Sequence, residues 1–193
     1  MSGGDKLQAY LANIAANLAA KGGHPSVRVG FLEGIMYPDG TPVAMIAAQN
    51  EFGATINRAP SSVTINRLPK LGGGYLRGGR FVKARTKGAV ASTHAVGAYT
   101  IVIPPRPFFR RMIKAKGPTW GADVAKWLKS TGYNVMGTLG FMGEKIAGQL
   151  GQSIQDTTDP PNAPSTIKRK GFDKPLIDTS VMWKSIAYEI KDA

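Results

Sequence analysis

The chain has 193 residues, 42% hydrophobic and 19% charged, with a formal net charge of +13. These are globular proportions, and the length suits one domain with a core of its own or one domain with a projecting arm. There is no cysteine, which excludes disulfides, thiolate metal sites and a cysteine nucleophile. No N-terminal run has the basic-then-apolar form of a signal peptide, and no apolar stretch reaches ~18 residues. The expectation is therefore a protein with no membrane partner, made in a cytoplasm-like compartment.

The charge is unevenly placed. No Asp or Glu lies between Glu51 and Asp123, and that interval holds 13 of the 25 Lys and Arg residues. The remainder balances at 12 basic and 12 acidic residues. Such a block suits a polyanion or an acidic protein surface, with a merely solvated basic arm as the plainer alternative.

In chain order, Asp5 to Lys21 reads as an amphipathic helix on Leu7, Leu11, Ile14 and Leu18. Gly22, Gly23 and Pro25 end it. Val27 to Leu32 alternates as a strand, with Val27, Val29 and Phe31 on one face. Tyr37-Pro38-Asp39-Gly40 is a turn. Thr41 then stands where an N-cap belongs, with Pro42 at the first helical position. That helix runs to Phe52, and Gly53 caps it.

From Ala54 to Val96 the character changes. Five glycines fall within Gly72 to Gly79, flanked by β-like runs at Ser62 to Leu68 and Arg80 to Arg85. This predicts a long, flexible basic hairpin or loop pair that projects from the body and orders on assembly. The glycines lack the Gly-Lys-Ser/Thr ending of a P-loop, and they do not open a helix after a strand, so a connector fits better than a phosphate cradle.

Tyr99 to Ile103 is β-branched and aromatic, which suits a buried strand. Pro104, Pro105 and Pro107 stop its ladder. Phe108, Phe109, Met112 and Ile113 then recur at helical spacing, with Arg110, Arg111 and Lys114 between them. Phe108 and Phe109 read as core anchors. Arg106, held extended between prolines, fits either an ion pair across a subunit contact or a local structural bond.

Gly117-Pro118 restarts a helix through Trp120, Val124, Trp127 and Leu128, ended by Gly132. Val135 to Ile154 is the longest helix. Its glycines at 137, 140, 143, 148 and 151 imply a closely packed neighbour or, more blandly, a kinked or frayed helix. Asp159 to Lys174 reads as an extended, proline-rich segment. Asp178 looks like an N-cap for a short turn at Val181 to Trp183, and Ile186 to Ile190 alternates as a closing strand.

His24 and His94 have no metal-ligand spacing, the carboxylates are scattered, and no Gly-x-Ser-x-Gly is present. No catalytic residue, metal or cofactor is expected.

The order of motifs is distinctive. Asn50-Glu51-Phe52-Gly53 follows a VRVGF strand, and Gly79 to Lys83 lies in the basic loop. Ile103-Pro104-Pro105-Arg106-Pro107-Phe108-Phe109-Arg110 comes next. Asn162-Ala163-Pro164-Ser165-Thr166-Ile167 and Pro175-Leu176-Ile177-Asp178-Thr179-Ser180 close the series. In this the chain, from about Ser26 to Ile190, resembles the neck or tail-completion proteins of tailed bacteriophages, among them relatives of the minor tail protein Z group. Ser180 departs from the glycine common in that family.

The resemblance implies a structural, non-enzymatic virion protein at the head–tail junction. Its partners would be its own copies in a cyclic homo-oligomer and the neighbouring connector and tail proteins, with DNA backbone contact in the channel possible. The expected fold is α+β, a single domain with a small, mostly antiparallel sheet packed by helices and a basic arm over 54–96. Candidate contact residues are Arg106, Phe108, Phe109 and Arg110 at the corner, and Arg77, Arg80, Lys83, Arg85 and Lys87 on the arm. The proline-rich strip from Pro160 to Lys170 is a further candidate. The rival reading is a nucleic-acid-binding protein using the basic block 54–116.

Overall fold

A computed structural model of the chain describes residues 8, 9, 11, 12, 14–16, 25–68 and 80–191. The fold is α+β with small antiparallel sheets. The single domain expected with an arm divides into two compact units, one from Met1–Ala54 with Ile103–Ala193, the other Thr55–Val102.

In the first unit, the described residues between 8 and 16 are helical, as the spacing predicts; the rest of that helix lies outside the described residues. Strand β1 (Ser26–Phe31) pairs antiparallel with β7 (Ile186–Lys191), in register from Ser26 opposite Lys191 to Phe31 opposite Ile186. Helix α1 (Val43–Phe52) follows the Tyr37–Gly40 turn, which Gly40 closes by donating to the Tyr37 carbonyl at 2.9 Å. Pro42, not Thr41, is the N-cap residue, and it caps with no side-chain bond. Thr41 instead donates its backbone N–H to Asp39 Oδ1 at 3.0 Å.

Helix α2 (Phe108–Ser130) runs unbroken through Gly117-Pro118, so the expected restart there is corrected. Pro118 is exposed, and the helix tolerates the loss of one backbone bond on its outer face. Helix α3 (Val135–Asp156) begins at Asn134, whose Oδ1 accepts the Gly137 N–H at 3.0 Å. It packs on α2 and on both strands. A Cβ on Gly143 would fall into the Tyr188 ring, and one on Gly151 would touch Ile186 at 3.7 Å. Gly143 therefore admits β7 close to the α3 backbone, as the close-neighbour reading requires, whereas Gly148 has open space and Gly137 meets only Asn134.

The segment expected to be extended from Asp159 to Lys174 contains helix α4 (Pro164–Lys170). Its signals were present but outweighed by the prolines: Pro164 stands at the first helical position, three cations fill the last turn, and Gly171 ends it at φ +82°. Helix α5 (Val181–Lys184) starts after Ser180, at φ +64°, so Asp178 is not its N-cap. The core gathers Val43, Ala47, Phe108, Met112, Leu150, Ile154, Leu176 and Met182.

In the second unit the described regular elements are all strands. Strand β2 (Ala54–Arg58) pairs with β6 (Tyr99–Ile103), and β3 (Ser61–Leu68) lies between β4 (Arg80–Phe81) and β5 (Val90–Val96). Of the hairpin or loop pair expected over 54–96, the described residues form a hairpin and are largely strand. β5 is an element that its mixed VASTHAV sequence does not announce. Tyr99 to Ile103, expected to be buried, is largely exposed, Val102 at 70%. The reason is architectural: among the described residues no second layer covers this strand pair, and neither of its faces is buried. None of the described residues of Thr55–Val102 is buried.

Candidate functional site

Three prolines force the chain out of any ladder after Ile103 and aim it into α2. The N-terminus of α2 then has a physical problem. Its first N–H groups have no helical partners, and Pro107, the cap residue, offers no side-chain acceptor. Glu51, from the last turn of α1, supplies the missing acceptor. Its Oε2 accepts the Phe109 N–H at 2.8 Å and its Oε1 the Arg110 N–H at 3.2 Å. A carboxylate is favoured at the positive end of a helix.

Arg110 completes the arrangement. Its Nε donates to Glu51 Oε1 at 2.8 Å and its Nη2 to the Glu51 carbonyl at 2.9 Å. Its guanidinium lies over the Phe52 ring, 5.1 Å from the centroid. The Glu51 side chain is buried while that of Arg110 is 58% exposed.

Arg106 is the second clamp. Its N–H donates to the Asn50 carbonyl at 2.6 Å. Its guanidinium donates to the Pro160 carbonyl at 2.8 Å, the Pro161 carbonyl at 3.1 Å and Asn50 Oδ1 at 3.4 Å. One side chain thereby ties α1, the corner and the Asp159–Asn162 turn together. Burial lowers its pKa from the ordinary value, and Asp173 pulls it back up.

Gly53 closes the frame. It sits at φ +79°, and a Cβ there would meet the Ile103 carbonyl oxygen at 3.0 Å and the Pro105 ring at 3.2 Å. So Asn50, Glu51, Phe52 and Gly53 each have a distinct task at the proline corner, more than fifty residues away in sequence.

Two of the candidate contact residues turn inward, as the local-bond reading of Arg106 and the core-anchor reading of Phe108 have it. Arg106 is only 7% exposed and bonded internally; Phe108 is 1% exposed, edge-on to Phe31 at 6.4 Å. Both build the fold and neither offers a surface. Phe109 is half-buried, against the backbone of Gly30. Arg110 keeps an exposed face.

What remains open beside it is a shallow apolar hollow of about 250 Å³, lined by Phe31, Ala44, Ala48, Phe52 and Phe109. Phe52, 68% exposed at its rim, and Glu51 belong to the Asn50–Gly53 motif read from sequence but were not among the candidate contact residues. A further signal for Glu51 was its place as the last acid before the acid-free block. The strip from Pro160 to Lys170 is partly consumed internally, since its first two carbonyls receive Arg106.

On the second unit, Arg80, Lys83, Arg85 and Lys87 are all exposed; Arg77 lies outside the described residues. Arg67 stacks over the Phe81 ring at 4.7 Å. Among the described residues no group of three His, Asp or Glu could hold a metal ion, and no helix is long and apolar enough to cross a membrane.

No family model, curated protein or solved structure matches the chain.

Proposed function

We propose that this chain is a structural virion protein of the head–tail junction of a tailed bacteriophage, a neck or tail-completion subunit that assembles as a ring and joins tail to head. The observation that carries this reading is the Thr55–Val102 unit, a set of strands none of whose described residues is buried. Tyr99, Ile101, Val102, Val63 and Phe81 all stand exposed on it. Two- and three-stranded sheets without a packed face have little stability of their own, and a neighbouring subunit is the natural second layer.

The motif pair that underlies the resemblance adds support. Asn50 to Gly53 and Ile103 to Arg110 lock into one frame. Its geometry fixes where the chain leaves and re-enters the first unit.

The rival, nucleic-acid binding by the whole block 54–116, loses Arg106, which is buried, and part of Arg110, which is engaged with Glu51, but keeps the exposed Arg111, Lys114 and Lys116.

Two experiments test the proposal. The full chain should give a discrete large mass by native mass spectrometry and rings by electron microscopy. Deleting the gene in its phage should leave separate full heads and tails; normally joined particles would overturn the reading.

A further inference from the structure

The register of β3 with β5 divides the basic arm into two chemically different parts. The pairs run from Ser61 opposite Val96 to Arg67 opposite Val90. The stem of this hairpin, Ser61–Asn66 with Ala91–Val96, contains no Lys, Arg, Asp or Glu. Its polar groups bond to one another: Thr64 Oγ1 lies 3.3 Å from Thr93 Oγ1, and Ser92 Oγ lies 2.9 Å from His94 Nε2.

Beyond it, residues 67–90 carry seven Lys and Arg and no acid. Lys83, Arg85 and Lys87 alternate along a turn in which Thr86 donates to the Lys83 carbonyl at 3.0 Å and Ala89 to the Thr86 carbonyl at 3.0 Å. Arg80 precedes them. All four are exposed, and among the described residues none is in an ion pair.

We infer that the turn at the described end of this hairpin, with Arg80, Lys83, Arg85 and Lys87, is a contact for the phosphate backbone of nucleic acid. The inference takes its setting from the assembly role above and adds a partner to it. Unpaired like charges held close together repel, and the repulsion is relieved by a polyanion. In the first unit Arg106 spends its donors on carbonyls and Arg110 on Glu51, while Arg111, Lys114 and Lys116 are exposed and spread along α2.

The chemistry favours phosphate over an acidic protein surface. A protein interface is built around apolar and aromatic anchors. The described part of the tip exposes Phe81, at 68%, and Val90, at 38%, as its large apolar groups, and the Phe81 ring is already covered by Arg67. Side chains on a turn reach backbone oxygens without reading bases, so the contact is indifferent to sequence.

The test uses the full chain and a generic DNA duplex of about 30 base pairs, long enough to span the tip, with affinity followed against salt. Each phosphate neutralised contributes a slope of about 0.9. Arg80→Gln, Lys83→Gln, Arg85→Gln and Lys87→Gln combined should lower the slope by roughly 3 to 4. That amounts to about a hundredfold smaller loss of affinity between 50 and 200 mM salt.

Arg80→Lys with Arg85→Lys, which keeps the charge, should keep the slope, as should the helix variant Lys114→Gln with Lys116→Gln. An unchanged slope in the fourfold variant, or an equal fall in the helix variant, would overturn the inference. So would polyglutamate of equal charge competing as well as the duplex, which would assign the tip to an acidic protein. Native mass spectrometry of the same samples separates the two proposals, because the tip variant should still form the ring.

Discussion

Glu51 caps a helix to which it does not belong: its Oε2 accepts the Phe109 N–H at 2.8 Å, fifty-eight residues further along the chain. Removing it leaves two helix donors without a partner at a buried place. Glu51→Ala should cost about 2–4 kcal/mol. Glu51→Gln, which keeps an acceptor but loses the charge, should cost about half as much. The midpoint of urea unfolding, at constant m-value, checks both.

Arg106→Lys should destabilise by about 2–3 kcal/mol even though the charge is kept. The guanidinium forks between the Pro160 and Pro161 carbonyls and reaches Asn50, and an ammonium on a flexible stem cannot hold all three. Hydrogen exchange should show the Asp159–Asn162 turn losing protection with the end of α1, since the same side chain secures both. Loss confined to one of them would argue against a joint clamp.

Gly143→Ala inserts a methyl group where the Tyr188 ring lies. A packed core meets such an insertion with shifts costing about 1–3 kcal/mol. Tyr188→Ala opens the space, so the double variant should be more stable than the sum of the two single losses predicts. Strict additivity by a double-mutant cycle would show that the ring moves aside freely.

Gly53→Ala combines a positive φ of +79° with the approach of the Ile103 carbonyl. The strain and the contact together should cost about 1–3 kcal/mol. Gly40→Ala has a similar φ of +81° but open space around it, and should cost about 1 kcal/mol. Thermal unfolding of the two variants separates the conformational part from the steric one.

Burial, then the negative charges of Asp178 and Asp39, raises the Tyr37 pKa above its ordinary value. The folded state therefore holds this proton more tightly than the unfolded chain. The stabilisation is complete below the unfolded value of about 10 and is lost as pH climbs from there through the folded value. Tyr37→Phe should flatten this part of the alkaline decline, measured as stability between about pH 9 and 12.

Some of this protein was legible in the residues themselves. The α3 stripe and its glycines, the VRVGF and closing strands, the Tyr37–Gly40 turn and the proline corner all rest on local patterns: helical period, strand alternation and the fixed geometry of proline and glycine. Where local signals competed, the weaker was hidden. The prolines around 160 masked α4, and Pro118 suggested a helix start where the chain keeps a continuous helix.

Composition and order alone determined that the excess charge is one continuous block between Glu51 and Asp123, and that the corner stands near its end. Only the tertiary structure decided which of those charges have partners. Arg106 and Arg110 meet carbonyls and Glu51 because packing brings segments fifty or more residues apart into hydrogen-bonding distance. No local pattern encodes such a meeting. Arg80, at the start of β4, and Lys83, Arg85 and Lys87, on the turn that follows it, are exposed, and among the described residues none of them meets an acidic partner.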